Sequence, residues 1–281
     1  MGSMIAAIEE RGSVRAYLER PVEAETKREI RSFLEAHRRG PFGGRVRLEL
    51  LDFDELERAE VRSLGTYGFI TGARLYIVSA IADTREARHE LGYCLQKVVL
   101  HATQLGLGTC WIGGTFRRSQ FGSRIGLSAD EIVPVVSPIG YPRPKRSLRD
   151  RLIRRGAGSD QRKPWADIFF DGDLETPLER GAAGQLEIPL ESVRLGPSAS
   201  NKQPWRLCLS PDRRVVHFFL RRTPGYEARF KGINLQDIDM GIAMCHFELA
   251  AHELGLDGSW QRRPPEIPAG AADYIVSWQY A

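Results

Sequence analysis

Long apolar runs, paired cysteines and a one-sided charge are all missing from this 281-residue chain. No apolar stretch approaches the ~18 residues needed to cross a bilayer, and no basic-then-apolar leader opens the sequence. A membrane-spanning protein is therefore not expected. Only four cysteines occur, Cys94, Cys110, Cys208 and Cys245. None forms a C-x-x-C pair and none stands at zinc-finger spacing from a histidine, so neither a disulfide framework nor a structural metal is expected, and a reducing cytoplasm is the natural setting. The net charge is only +4. It is concentrated in residues 143–163, where nine Lys/Arg stand against two Asp/Glu. A nucleic-acid footprint running across the whole protein is absent. The six histidines are scattered, and His101, His246 and His252 are expected at a surface or interface. Walker A, G-x-G-x-x-G and G-x-S-x-G signatures are also lacking.

What is present is a globular composition, 42% hydrophobic and 27% charged. At ~150 residues per domain the chain suits about two domain-sized units. An internal repeat supports that division. Residues 90–111 (ELGYCLQKVVLHATQLGLGTCW) align without a gap on residues 239–260 (DMGIAMCHFELAAHELGLDGSW) at a shift of 149. Gly92 meets Gly241, Leu105-Gly106-Leu107 meets Leu254-Gly255-Leu256, and Trp111 meets Trp260. Val135-Val136-Ser137 echoes Ile275-Val276-Ser277, and Pro41 with Arg47–Leu50 echoes Pro197 with Arg206–Leu209. A period near half the chain means two copies of one domain rather than a solenoid. The expected boundaries are 1–155 for the first copy, 156–184 for a connecting segment and 185–281 for a shorter second copy. The opening Met1-Gly2-Ser3-Met4 is given no weight in the fold.

Both copies read as mixed α and β. In the first, helical spacing covers Ala24–His37 and Glu90–Leu105, the latter ended by Gly106. Strands are expected at 46–50, 75–80 and 132–139. In the second, strands are expected at 206–210, 215–220 and 274–279, with a helix over 238–254.

Three segments carry chemistry. Arg11-Gly12-Ser13-Val14-Arg15 sets two guanidiniums and a hydroxyl within five residues, a donor set suited to phosphate; a solvated basic turn is the plainer alternative. Gly196-Pro197-Ser198-Ala199-Ser200-Asn201-Lys202-Gln203-Pro204-Trp205 holds hydroxyls, amides and a cation between prolines, able to read a polyol or a heterocycle edge. The matching loop of the first copy lacks these side chains. Gly108-Thr109-Cys110-Trp111-Ile112-Gly113-Gly114 ends in paired glycines that let backbone approach a flat ligand closely.

Together with Ile139-Gly140-Tyr141-Pro142, these pieces resemble the FMN-dependent nitroreductase family, and within it a fused, two-copy subgroup. The resemblance spans nearly the whole chain. It implies an α+β, three-layer α/β/α nitroreductase-like fold in two tandem copies forming an intramolecular pseudodimer with one flavin site. It implies that Arg11 and Ser13 bind the FMN phosphate or ribityl chain, that Arg15 lies near the pyrimidine edge, and that Lys145 and Arg146 neutralise the phosphate. Pro197, Ser198, Ser200 and Asn201 would serve the ribityl chain and ring edge, and Gly113 and Gly114 would offer backbone N–H near the hydride-accepting side. Two positions depart from the family pattern: uncharged Thr71 stands where a ring-side Lys or Asn is common, and Gly113 where an acid is common. The implied activity passes a hydride from NADH or NADPH through FMN to an electron-poor small-molecule acceptor, a nitroaromatic or a quinone. The alternative is a flavin-storing or redox-sensing protein with little turnover. A monomer is expected, with no nucleic-acid or membrane partner.

Overall fold

Two long helices organise the chain, and each begins and ends for local reasons. The computed structural model describes residues 2–54, 70–144, 161–230 and 232–280. Near the N-terminus lie α1 (Met4–Glu10) and α2 (Ala24–Ala36). Helix α3 (Arg85–Gln104) starts five residues before the apolar periodicity does, because the Thr84 hydroxyl accepts the Ala87 N–H at 3.2 Å and caps it. It stops at Gly106, left-handed at φ +71°, where the Leu107 N–H returns to the Ala102 carbonyl at 2.9 Å. Helix α6 (Leu235–Glu253) ends in the same way: Gly255 has φ +72° and the Leu256 N–H meets the Ala251 carbonyl at 2.9 Å. Between them lie α4 (Arg118–Arg124) and α5 (Glu187–Leu195).

The chain divides into two compact units, Glu10–Asp160, and Gln161–Ala281 together with Met1–Glu9. The first unit's sheet contains β1 (Arg47–Asp52), β2 (Leu75–Ala82), β3 (Gly108–Thr109), β4 (Glu131–Ile132) and β5 (Val136–Gly140). Its order is β1-β2-β5-β3 with antiparallel neighbours, and β4 pairs with the end of β2. The second unit's sheet contains β6 (Phe169–Asp171), β7 (Trp205–Leu209), β8 (Val215–Leu220), β9 (Gly258–Gln261) and β10 (Asp273–Tyr280). Its order is β6-β7-β8-β10-β9, parallel only between β6 and β7. Set β4 and β6 aside and the two sheets share one strand order, each with its long helix between the second and third remaining strands in sequence. Their registers agree as well: Ser137 stands opposite Ile77, and Ser277 opposite His217.

In the first unit, α2 lies on β1 and α3, and α3 lies on β2 and β3. Tyr76, Val78 and Val136 join Tyr17, Phe53, Cys110, Ile112 and Phe121 in one apolar cluster, which contains no residue of α2 or α3. Alternation along a strand sends neighbouring side chains to opposite faces, so the sheet carries helices α2 and α3 on one side and α4 on the other. Phe121 of α4 anchors that second layer, its ring 5.5 Å from Tyr76 and 6.5 Å from Phe53.

Three expectations need correction. Residues 161–184 are not a bare connection, because they supply β6, which pairs with β7, and two 3-10 turns. The Ser3 hydroxyl accepts the Ala6 N–H at 3.0 Å, and Glu253 takes the Met4 and Ile5 amides at 2.6 and 3.0 Å, so the opening residues do take part in the fold. His246 is fully buried, with Nδ1 2.7 Å from the Ser192 carbonyl, which places it in the core where α5 packs on α6.

Candidate functional site

In the first unit the site is built on an extended segment, residues 13–18. Val14 N–H donates to Thr109 O at 2.8 Å, and Tyr17 N–H to Thr71 O at 2.8 Å. Thr71 N–H donates back to Arg15 O at 2.8 Å, Leu18 N–H to Tyr141 O at 2.9 Å, and Arg143 N–H to Ala16 O at 2.9 Å. Three motif pieces far apart in sequence are thereby stitched side by side: Arg11–Arg15, Gly108–Trp111 and Gly140–Pro142. Glycine makes the approach possible. A Cβ on Gly108 would stand 2.6 Å from the Val14 side chain, and one on Gly72, which is left-handed at φ +78°, would overlap the Tyr17 carbonyl. Tyr17 is buried, and its hydroxyl donates to Val14 O at 2.7 Å. Burial pushes this phenol well up, so it stays protonated. Arg11, Ser13 and Arg15 are half-buried on this fixed backbone.

Gly113 and Gly114 follow directly on Ile112, which exchanges both backbone hydrogen bonds with Val136 at 3.0 Å. The Gly113 carbonyl accepts from the Arg118 guanidinium, which lies 4.8 Å from the Phe116 ring centroid. Burial lowers the Arg118 pKa. Arg118 lies outside the sequence motifs; its position four residues after the glycine pair is the only sequence signal for it. Lys145, Arg146 and most of the Gly65–Gly72 loop lie outside the described residues.

In the second unit the loop from Gly196 to Trp205 is more internally engaged than its composition suggests. Ser200, Asn201 and Gln203 have φ of 48°, 52° and 46°. Left-handed non-glycine residues cost about 1–3 kcal/mol each and persist only where their surroundings hold them. Those holds are visible. Ser198 Oγ accepts from Gln203 N–H at 2.8 Å, and Ser200 Oγ from the Tyr226 hydroxyl at 2.9 Å. Asn201 Nδ2 donates to Gln161 O at 2.8 Å. The Gln203 carbonyl accepts from Lys163 Nζ at 3.3 Å and Arg206 Nη1 at 3.1 Å. Burial, with Arg206 close by, lowers Lys163 to about 8, and burial with Arg221 lowers Arg206 to about 10. The hydroxyls and amides expected to read a ligand thus also fold the loop on itself. Lys163, Arg206 and Tyr226 were not foreseen, since they lie outside the motif.

The four cysteines are free and buried, and burial raises Cys94 and Cys208 to about 12, out of reach of thiolate chemistry. Among the described residues no group of three His, Cys, Asp or Glu is placed to hold a metal. No described helix is long and apolar enough to cross a membrane.

The model of the family described as "Putative TM nitroreductase" matches residues 3–251. The chain belongs to this nitroreductase family. Among solved structures it is similar to a putative nitroreductase from Thermotoga maritima, at 20% identity and TM-score 0.64, over 99% of this chain and 94% of that one. That likeness shows a shared fold. Partial matches include a nitroreductase with bound FMN from Desulfitobacterium hafniense, at 17% identity and TM-score 0.43, over 52% of this chain and 92% of that one. An FMN-dependent nitroreductase from Clostridium difficile matches at 17% identity and TM-score 0.41, over 51% and 90%. No curated protein matches the sequence.

Proposed function

We propose that this nitroreductase-family protein is an FMN-dependent oxidoreductase that passes a hydride from NADH or NADPH to an electron-poor acceptor. The observation that carries the proposal is the stitching of Arg11–Arg15 beside Gly108–Trp111 and Gly140–Pro142 in a chain of this family. The donor set fits the cofactor: two guanidiniums and a hydroxyl on a rigid extended backbone suit a phosphoester and a polyol. When bound, FMN supplies hydride chemistry between NAD(P)H and a nitroaromatic or quinone.

The residues divide the work. Arg11 and Ser13 bind phosphate or ribityl oxygens. Arg15 sets positive charge where the reduced ring gathers negative charge. Lys145 and Arg146 are assigned to the phosphate, and Gly113 and Gly114 to backbone contact with the ring. To the same cofactor we assign Pro197, Ser198, Ser200 and Asn201, on the motif resemblance. Thr71, whose N–H and carbonyl are both used in holding Arg15 and Tyr17, brings no charge to the ring. No protein nucleophile is required, and the buried thiols are not candidates. The shared strand order of the two sheets supports a further reading, that the units arose by tandem duplication.

Anaerobic absorbance spectroscopy tests the proposal. FMN uptake followed by bleaching with NADH or NADPH is expected. Uptake without bleaching would point instead to flavin storage or sensing, and no uptake would refute the assignment. Loss of one charge-assisted contact costs about 1.5–3 kcal/mol, so Arg11→Ala should weaken FMN binding by roughly ten- to hundredfold in a fluorescence titration. Asn201→Ala should also loosen FMN.

A further inference from the structure

The two long helices carry an acid at equivalent positions, Glu90 on α3 and Asp239 on α6, paired by the 149-residue repeat. Both are buried, at 3% and 2% exposure. Each takes a backbone amide from the loop that leads into its unit's first antiparallel strand pair. Glu90 Oε1 accepts the Phe42 N–H at 3.1 Å. Asp239 Oδ1 accepts the Ala199 N–H at 2.9 Å. The longer side chain fills its own loop: a Cβ on Gly44 would stand 2.8 Å from Glu90 Cγ, and one on Gly40 would overlap the carboxylate. The 40–44 turn therefore closes around Glu90, with Gly43 N–H on Gly40 O at 3.0 Å and Gly40 N–H on Gly44 O at 3.1 Å.

Asp239 is one methylene shorter and stands under a longer loop. Helix α6 touches that loop at its Ala199–Asn201 turn, where two of the three left-handed residues lie. Among the described residues no cation bonds to Asp239, and its Oδ2 is buried without a hydrogen-bond partner. Burial raises its pKa well above the ordinary aspartate value.

We propose that Asp239 is a positioning residue: a buried carboxyl that holds the 198–203 loop in its left-handed form by taking the Ala199 N–H. Glu90 is its repeat-related counterpart and holds the 40–44 turn closed. The proposal rests on the FMN reading only in naming the loop's ligand.

The test uses the intact protein and two readouts, amide hydrogen exchange without flavin and FMN affinity. Asp239→Asn keeps an acceptor at the same place and should leave exchange over 196–205 and FMN affinity within about threefold of wild type. Asp239→Ala removes the acceptor and leaves a buried N–H unpaired. It should raise exchange over 196–205 by about tenfold or more, leave β7 and β8 protected, and weaken FMN binding by a similar factor. Unchanged exchange in Asp239→Ala would overturn the proposal, and so would an Asn variant as damaged as the Ala variant. If the Ala variant fails to fold, the Asn variant decides alone: wild-type protection supports the acceptor role, and rapid exchange over 196–205 refutes it. Wild-type protein that binds no FMN while Asp239→Ala still loosens the loop would refute the functional reading and leave the positioning role intact.

Discussion

A carboxyl whose pKa is raised by burial makes the molecule's stability depend on pH in a definite direction. Asp239 binds its proton more tightly folded than unfolded, through burial and the nearby Asp237 carboxylate, while the Ala199 N–H opposes the shift. Asp237 is itself paired with Arg222, and the Tyr226 phenol also feels Asp239. The folded state then holds more protons than the unfolded state above the unfolded value of about 4, and stability falls as pH rises through that window. Asp239→Asn escapes this loss. Its melting temperature should exceed that of wild type at neutral pH, and the gain should vanish near about pH 4, as a set of thermal melts would show. Lys163 works with the opposite slope. Its pKa is lowered to about 8, so the unfolded chain binds more protons between about 8 and its free value of about 10.4, and stability gains there as pH rises. Lys163→Met should remove that rise from the wild-type profile. At Gly72 the constraint is steric. Its φ of +78° and the adjacent Tyr17 carbonyl leave no room for a Cβ. Gly72→Ala should cost at least about 1–3 kcal/mol in denaturant melts and loosen FMN binding through the Arg15–Tyr17 segment.

At the level of elements, sequence patterns were most readable where burial follows a period. The strand over Val215–Leu220 matches its expected span, and α2, α3 and α6 lie where apolar spacing and following glycines put them. The misses have physical causes. Helix α1 has seven residues, too few for a period, and its cap is completed by Glu253, about 250 positions away. Helix α5 carries Pro189 in its first turn, which reads as a break although that position tolerates proline. Strand β6 has three residues and is defined only by its pairing with β7. The candidate site shows the same division. Arg11, Ser13 and Arg15 were legible as a donor cluster, but the hydrogen bonds that seat them on Thr109, Thr71 and Tyr141 are long-range. Asp239 was hidden because an acid within a helix reads as a solvated face. Packing of α4 offers a direct check. Phe121 is fully buried among Phe53, Tyr76 and Phe116, so Phe121→Ala should cost about 3–5 kcal/mol in a denaturant melt.

For the whole molecule, one strand order occurs twice, with one long helix and one glycine-ended turn in each unit. The two units differ in the loop that precedes their first antiparallel strand pair. One loop is short, rich in glycine and closed by Glu90, while the other is longer, polar and held in a strained form above Asp239. Family membership gives the scaffold, and the stitched arginine segment gives the proposed cofactor its donor set. The most direct measurement is the anaerobic visible spectrum of the intact protein during titration with FMN and then NADH or NADPH. The account predicts bound flavin bands that bleach with at least one of the two reductants. Protein that takes up no flavin at all would contradict it.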